Sequence, residues 1–175
     1  MNLKDTKYDA FISYRHTELD KFVAENMHRK LEAFRLPSSI KKRKTIQKDR
    51  IKRVFRDRDE LPLASNLADP ITEALRNSDY LIVICTPRLP ESQWCKKEID
   101  TFINFHGRDR IFAILAEGEP DDSFPPQLRY AEREEYNEMG EKVVVQVPVE
   151  PLAADIRGNS KREILKKMDE ELLRL

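Results

Sequence analysis

The stretch DYLIVIC, residues 79–85, is apolar at consecutive positions rather than at alternate ones. A strand of that kind buries both faces, and such strands sit in the middle of parallel sheets covered by helices. Parallel neighbours also need long crossovers between strands, usually helical ones. The flanking segments supply them. YDAFISY (8–14) reads as a buried strand, RVFRD (53–57) as a second short one and RIFAILAE (110–117) as a fourth after the central run. Between them, Leu19, Phe22, Val23, Met27, Leu31 and Phe34 recur at helical spacing up to Pro37, with Thr17 as cap and Asp20 completing a capping box. Ser65 or Asn66 can cap a helix carrying Leu67, Ile71 and Leu75. Ser92 can cap one carrying Trp94, Glu98, Ile99, Phe102 and Phe105, which ends at Gly107.

The remainder is less regular. Residues 118–142 are polar, with Pro120, Pro125 and Pro126, and read as loops plus a short helix. KVVVQVPV (142–149) has strand character, but Pro148 confines any ladder role to an edge. EPLAADIR (150–157) is a candidate to complete the sheet. Ser160 and Glu163 form a capping box for a last helix with Ile164, Leu165, Met168 and Leu172. The expected fold is therefore α/β: a flavodoxin-like three-layer arrangement with a central, mostly parallel five-stranded sheet and helices on both faces. The expected domains are 1–158, one α/β unit, and 159–175, a C-terminal helix starting a linker to further domains.

Charge and cysteine content exclude several functions. With 32 basic and 32 acidic residues the formal net charge is zero, whereas a general nucleic-acid binder is strongly basic. The basic run 41–53 reads as a solvated connection. Cys85 and Cys95 are the only cysteines and form neither a disulfide framework nor a zinc site, which fits a reducing, cytoplasmic setting. No segment has the apolar length of a membrane span, and no metal site is expected, since His16 has no second ligand at suitable spacing. The absence of a G-x-G-x-x-G turn disfavours a Rossmann oxidoreductase.

Ligands of open α/β sheets bind outside the carboxyl ends of the strands, here the loops 14–17, 57–66 and 86–93. The third loop opens the helix that places Trp94 and Glu98 four residues apart on one face. By itself this pair reads as a packing Trp beside a solvated Glu.

Three segments together resemble the successive boxes of the bacterial Toll/interleukin-1 receptor (TIR) domain: YDAFISYRH, RVFRDRDELPLASNL and SDYLIVICTPRLPESQWCKKEI. The resemblance covers roughly residues 5–158. The sequence departs from the pattern at Ala64, where many relatives carry Gly. The resemblance implies a TIR domain that cleaves NAD+ at the nicotinamide–ribose bond, giving ADP-ribose or a cyclic isomer, as an effector or signal-making module of bacterial defence. Glu98 then maps onto the catalytic carboxylate. Arg15 and His16 border the dinucleotide, and Tyr14 and Trp94 wall the pocket, Trp94 as a packing residue or a stacking one. Asp57, Asp59, Leu61 and Pro62 lie in a loop that covers the site and docks on a neighbouring TIR domain. NAD+ is the substrate rather than a cofactor, no separate cofactor is implied, and self-association with other TIR domains is the expected partnership. The alternatives are a non-catalytic TIR–TIR scaffold or adaptor mimic, which needs neither Glu98 nor Trp94, and a deoxyribosyltransferase-like enzyme acting on nucleosides.

Overall fold

The computed structural model describes residues 7–35, 51–56 and 68–173. Five strands form one parallel sheet: β1 (Tyr8–Ser13), β2 (Val54–Arg56), β3 (Ser78–Cys85), β4 (Ile111–Leu115) and β7 (Leu152–Asp155), in the order β2-β1-β3-β4-β7. The expected α/β architecture is thus the observed one, and every pairing in the sheet is parallel. The chain moves outward from β1 to β2, then returns to lay β3 on β1's other side. The switch point, where such sheets open a crevice, lies between the carboxyl ends of β1 and β3.

Strand alternation splits the interior into two cores. Phe11, Leu81, Val83, Cys85, Ile111, Ala113 and Leu115 face one way, against α2 (Ala68–Arg76) and α3 (Gln93–His106). Ala10, Ile12, Ile82, Ile84 and Ile114 face the other way, against α1 (Glu18–Ala33) and α6 (Lys161–Leu172). Each Val, Leu, Ile or Phe side chain fully buried in these layers contributes roughly 1.5–3 kcal/mol. β3 serves both cores, which is why its sequence lacks alternation.

The caps expected from sequence are in place. Ser92 Oγ accepts from Cys95 N at 3.2 Å, and Ser160 Oγ accepts from Glu163 N at 3.2 Å. Glu163 returns its carboxylate to Asn159 N at 2.9 Å. At α1 the box is only half made. Thr17 Oγ1 accepts from Asp20 N at 3.4 Å, but Thr17 N donates to Arg15 O, and the Asp20 carboxylate turns inward. The expected caps Ser65 and Asn66 lie outside the described residues.

The main departure from the expected fold lies between β4 and β7. After two short helices, α4 (Pro120–Ser123) and α5 (Pro126–Arg129), residues expected as loop form β5 (Tyr130–Tyr136). It pairs antiparallel with β6 (Lys142–Pro148) in a separate two-stranded sheet. Pro148 ends that ribbon, so KVVVQVP is a strand, but not one of the main sheet. YAEREEY hides its strand character because neither face of the ribbon is fully buried, and strand alternation is visible only where one face is.

Two glycines with positive φ test the loop packing. Gly118 (φ 77) follows β4, and a Cβ there would stand 2.4 Å from Pro87 Cγ and 2.6 Å from Ser123 Oγ. Gly140 (φ 75) turns the β5–β6 ribbon with open space around it. Gly140→Ala should lose only the backbone term, about 1–2 kcal/mol, whereas Gly118→Ala should lose that plus roughly 1–3 kcal/mol of overpacking. Urea unfolding of both variants beside the parent checks the order, and equal losses would contradict the Pro87 contact.

Candidate functional site

β1 leaves the sheet at Ser13, whose side chain falls on the α3 side by strand alternation. α3 starts just past β3, and its Ser92 cap fixes the first turn. Cys95, Glu98, Ile99 and Phe102 then occupy the buried face. Across this junction Ser13 Oγ donates to Glu98 Oε2 at 2.5 Å, and both residues are buried, at 1% and 4% exposure. A charge-assisted O–H···O bond of that length fixes the carboxylate's orientation. Glu98 is therefore not the solvated helix residue that a charge-rich sequence suggests.

Trp94, one turn earlier, is partly buried against the same core. It lines a narrow cleft between α2 and α3 with Ile71, Thr72, Leu75, Lys97, Glu98 and Thr101. Trp94 and Glu98 thus share a surface, as their spacing implies.

Arg15 spans the switch point. From the loop after β1, its Nη1 donates to Arg88 O at 2.8 Å and to Glu91 Oε2 at 3.1 Å, both in the segment after β3. His16 stacks on Tyr14 with ring centroids 4.7 Å apart. Tyr14 is 4% exposed and packs in the α1 core, on the sheet face opposite Glu98. The structure thus brings Glu98 and Trp94 together on the cleft between α2 and α3, ties Arg15 across the β1/β3 switch point, and turns Tyr14 to the other face of the sheet. Asp57, Asp59, Leu61 and Pro62 lie outside the described residues.

Two polar residues of this region were missed in the sequence. Ser13 is one; its signal was a hydroxyl at the end of an otherwise apolar strand. Asp20 is the other, read only as half of a cap. It is 0% exposed on the buried face of α1, and among the described residues neither carboxylate oxygen has a hydrogen-bond partner of normal geometry. Burial pushes its carboxyl up to about 6; the Thr17 hydroxyl opposes this, Glu117 adds to it, and Arg88 and Arg15 oppose it. Burial likewise raises the Cys85 and Cys95 thiols far above their ordinary value, Glu98 adding to the rise at Cys95. Neither is an activated nucleophile. Among the described residues, no group of three or more His, Cys, Asp or Glu side chains could hold a metal ion, and no helix is long and apolar enough to cross a membrane.

An α/β domain with an open parallel sheet and a carboxylate held at its switch point defines a class of protein. The model of the TIR domain family matches residues 10–144, spanning β1, β3 and α3. The chain belongs to the TIR domain family. It is similar to the NAD(+) hydrolase ApTIR of Actinoplanes sp., with 30% identity over 113 residues; the match spans 65% of this chain and 14% of that protein. Among solved structures it is similar to the TIR domains of the activated Roq1 resistosome recognising the pathogen effector XopQ, with TM-score 0.46 and 19% identity over 66% of this chain and 61% of that one. A flavodoxin-like domain from Synechococcus sp. gives TM-score 0.44 and 13% identity over 95% of this chain and 99% of that one.

The buried Asp20 predicts an unusual pH dependence of stability. Its folded-state pKa, about 6, lies above the ordinary 3.8, so the folded chain holds the proton more tightly than the unfolded one. The resulting stabilisation is complete below the lower value and is lost as pH rises through the upper one. Asp20→Asn has no such proton to lose. Relative to the parent it should gain up to about 3 kcal/mol at pH 7.5, and the gain should vanish near pH 4. Denaturant unfolding at several pH values measures the difference, and a gain independent of pH would refute the titration.

Proposed function

We propose that this TIR domain cleaves NAD+ at the nicotinamide–ribose bond, with Glu98 as the catalytic carboxylate. The observation that carries the reading is the buried Ser13–Glu98 contact at the β1/β3 crevice, beside Trp94. The relative named as an NAD(+) hydrolase supports it.

The chemistry suits a single carboxylate. As the C–N bond breaks, its electron pair goes to the nicotinamide nitrogen and positive charge grows on the ribose ring. Glycosidases acting through such a centre ordinarily need a second acid to protonate the leaving oxygen. Nicotinamide leaves as a neutral molecule from a cationic pyridinium, so no proton donor is required. Glu98, aimed by Ser13 and shielded from bulk water, stabilises the developing charge and accepts hydrogen bonds from the ribose hydroxyls. Water then adds to the ribose carbon and loses its proton, giving ADP-ribose; attack from within the same molecule gives a cyclic isomer instead. Arg15 supplies a guanidinium for the pyrophosphate, with His16 beside it. Trp94 walls the nicotinamide end. Tyr14 acts indirectly, as the packed support on which His16 stacks. NAD+ is substrate and no further cofactor enters.

The reading extends to a signal-making or effector module in bacterial defence that works by self-association. One observation favours the second reading, a non-catalytic assembly module: the β5–β6 ribbon exposes Tyr136, Met139 and Val144 at 76%, 82% and 62%. That reading leaves the Ser13–Glu98 pair without a role.

Glu98→Gln keeps size and helix propensity while removing the charge. NAD+ turnover by this variant should fall about 100-fold or more, near 2.7 kcal/mol of barrier, with the thermal midpoint little changed. Chromatographic assay of NAD+ loss decides it: wild-type turnover in the variant would end the catalytic assignment. If assembly completes the site, specific activity should climb over about a hundredfold range of protein concentration, as mass action requires. A flat profile over that range would argue for a self-sufficient monomer.

A further inference from the structure

The β5–β6 ribbon stands outside both cores, and its two edges differ in chemistry. Among the described elements, β5 alone pairs with β6 and packs along it. The direction of β6's free backbone groups follows from the two ends of the ladder. Val149 N donates to Arg129 O at 2.8 Å, and Asn137 N donates to Glu141 O at 3.0 Å. Both contacts continue the register that pairs Tyr130 with Pro148 and Tyr136 with Lys142. In an antiparallel ladder, hydrogen-bonded and non-hydrogen-bonded pairs alternate. Glu141 and Val149 belong to the bonded set, so Val143, Val145 and Val147 do too, facing β5. Lys142, Val144 and Gln146 therefore turn their N–H and C=O groups outward.

An outward row of this kind is a template for another strand, and proteins ordinarily blunt it with charge or proline. β5 is blunted: by the same alternation Glu132 and Glu134 lie on its outward side, where they repel their own copies. β6 is not. Between Lys142 and Pro148 its sequence is VVVQV, without a charge, and Val144 is 62% exposed. Pro148 has no N–H to offer, so it ends the usable edge beyond Gln146.

These features select the occupant. Pairing β6 of one copy with β5 of the next leaves a free edge at each end and builds an open chain. Pairing β5 with β5 opposes acids. Pairing β6 with β6 about a two-fold axis closes after two copies and meets no like charge. We propose that the partner of the β6 edge is a second copy of this chain, the two ribbons joining antiparallel into one four-stranded sheet centred on Val144. Val144 then faces Val144 of the second copy, Lys142 faces Gln146 on either side, and each of these pairs exchanges both N–H···O bonds. Val143 faces Val145 in the non-bonded pairs between them, where side chains approach most closely. This register engages all three outward residues and leaves Pro148 out of the bonded set. The dimer gives the self-association of the functional reading a surface. It rests on that reading for its role, and on the ladder alone for its geometry.

Sedimentation equilibrium of the full chain, over about a hundredfold range of protein concentration, reads the dimer. The parent should pass from monomer to dimer within that range. Gln146→Lys sets a second ammonium against Lys142 on both sides of the axis, while within its own ribbon position 146 faces Glu132. It should weaken association about 10-fold with the fold intact. Adding Lys142→Glu makes both facing pairs opposite in charge and should restore the parent's association. That change gives up an exposed ion pair with Glu134, a small cost to the ribbon. Val144→Pro removes an outward N–H that the β5 ladder does not use. It should abolish the dimer while circular dichroism and thermal midpoint stay near the parent's. A parent that is monomeric throughout overturns the proposal, whatever other strand the edge accepts. So does a dimer that Gln146→Lys and Val144→Pro both leave unchanged, or one lost in Gln146→Lys and not restored by Lys142→Glu. If Val144→Pro does not fold, the charge reversal decides under the same criteria. NAD+ loss is assayed on the same samples. A dimer without turnover removes the catalytic reading alone, and turnover by a parent that never dimerises removes this inference alone.

Discussion

Parallel pairing of β1 with β3 is the constraint on which the rest of the molecule depends. It aligns Phe11 with Leu81, Ile12 with Ile82 and Ser13 with Val83, and a slip of one residue would turn every side chain to the wrong face. The register carries chemistry as well as packing. Phe11 and Ser13 point to the α3 side, while Ile12 and Tyr14 point to the α1 side. One residue of displacement would place Tyr14 beside Glu98 and bury the Ser13 hydroxyl against α1. The same pairing puts the topological reversal at the two strands whose following loops carry Arg15 and Arg88. Crevice, hydroxyl and guanidinium groups all follow from one hydrogen-bonded ladder.

Smaller ties hold this arrangement at its margins. β2 is short, and its place on β1 is supported from outside the ladder. Asp9 accepts from Lys52 N and Arg53 N at 2.7 and 3.0 Å, and Glu32 accepts from Val54 N at 2.9 Å. At the opposite edge Arg157 pairs with Asp155 and Glu119 at 2.8 Å and donates to Gly118 O at 2.9 Å, and its guanidinium holds the Asp155 carboxyl below the ordinary carboxylate range. These exposed pairs add little individually. Their effect is to fix where the β4 and β7 loops leave the sheet, beside the Gly118–Pro87 contact that shapes the segment leading into α3.

The sheet and its helices were legible because burial imposes periodicity: DYLIVIC, the α1 stripe and the Ser92 and Ser160 caps each have one physical reading. The β5–β6 ribbon was not, because a ribbon without a buried face leaves no apolar alternation in YAEREEY. At the site, the Trp94–Glu98 spacing was legible as a shared face, but burial of the carboxylate was not. Burial depends on Ser13 arriving from 85 residues away, and no local pattern reports a contact of that separation. Asp20 misled for the opposite reason. Its distance from Thr17 is that of a capping box, and its backbone N–H does make the cap, so a sound local reading concealed where the carboxylate goes.

The two buried acids show what the fold does with charge at the end of a parallel sheet. They lie on opposite faces of the sheet, and both are withdrawn from water. Glu98 receives a hydroxyl donor at 2.5 Å; at Asp20 burial outweighs the opposing Thr17 hydroxyl and the more distant Arg88 and Arg15, and pushes the carboxyl up to about 6. A hydrogen bond fixes direction, so a partnered carboxylate is suited to meeting charge that develops at one atom. One without such a bond has no fixed direction, and burial favours its neutral form. A low-dielectric interior amplifies both effects, which is why the difference between these acids lies in their partners rather than in their depth. The Ser13 hydroxyl fixes the direction of one of them, and burial governs the proton of the other.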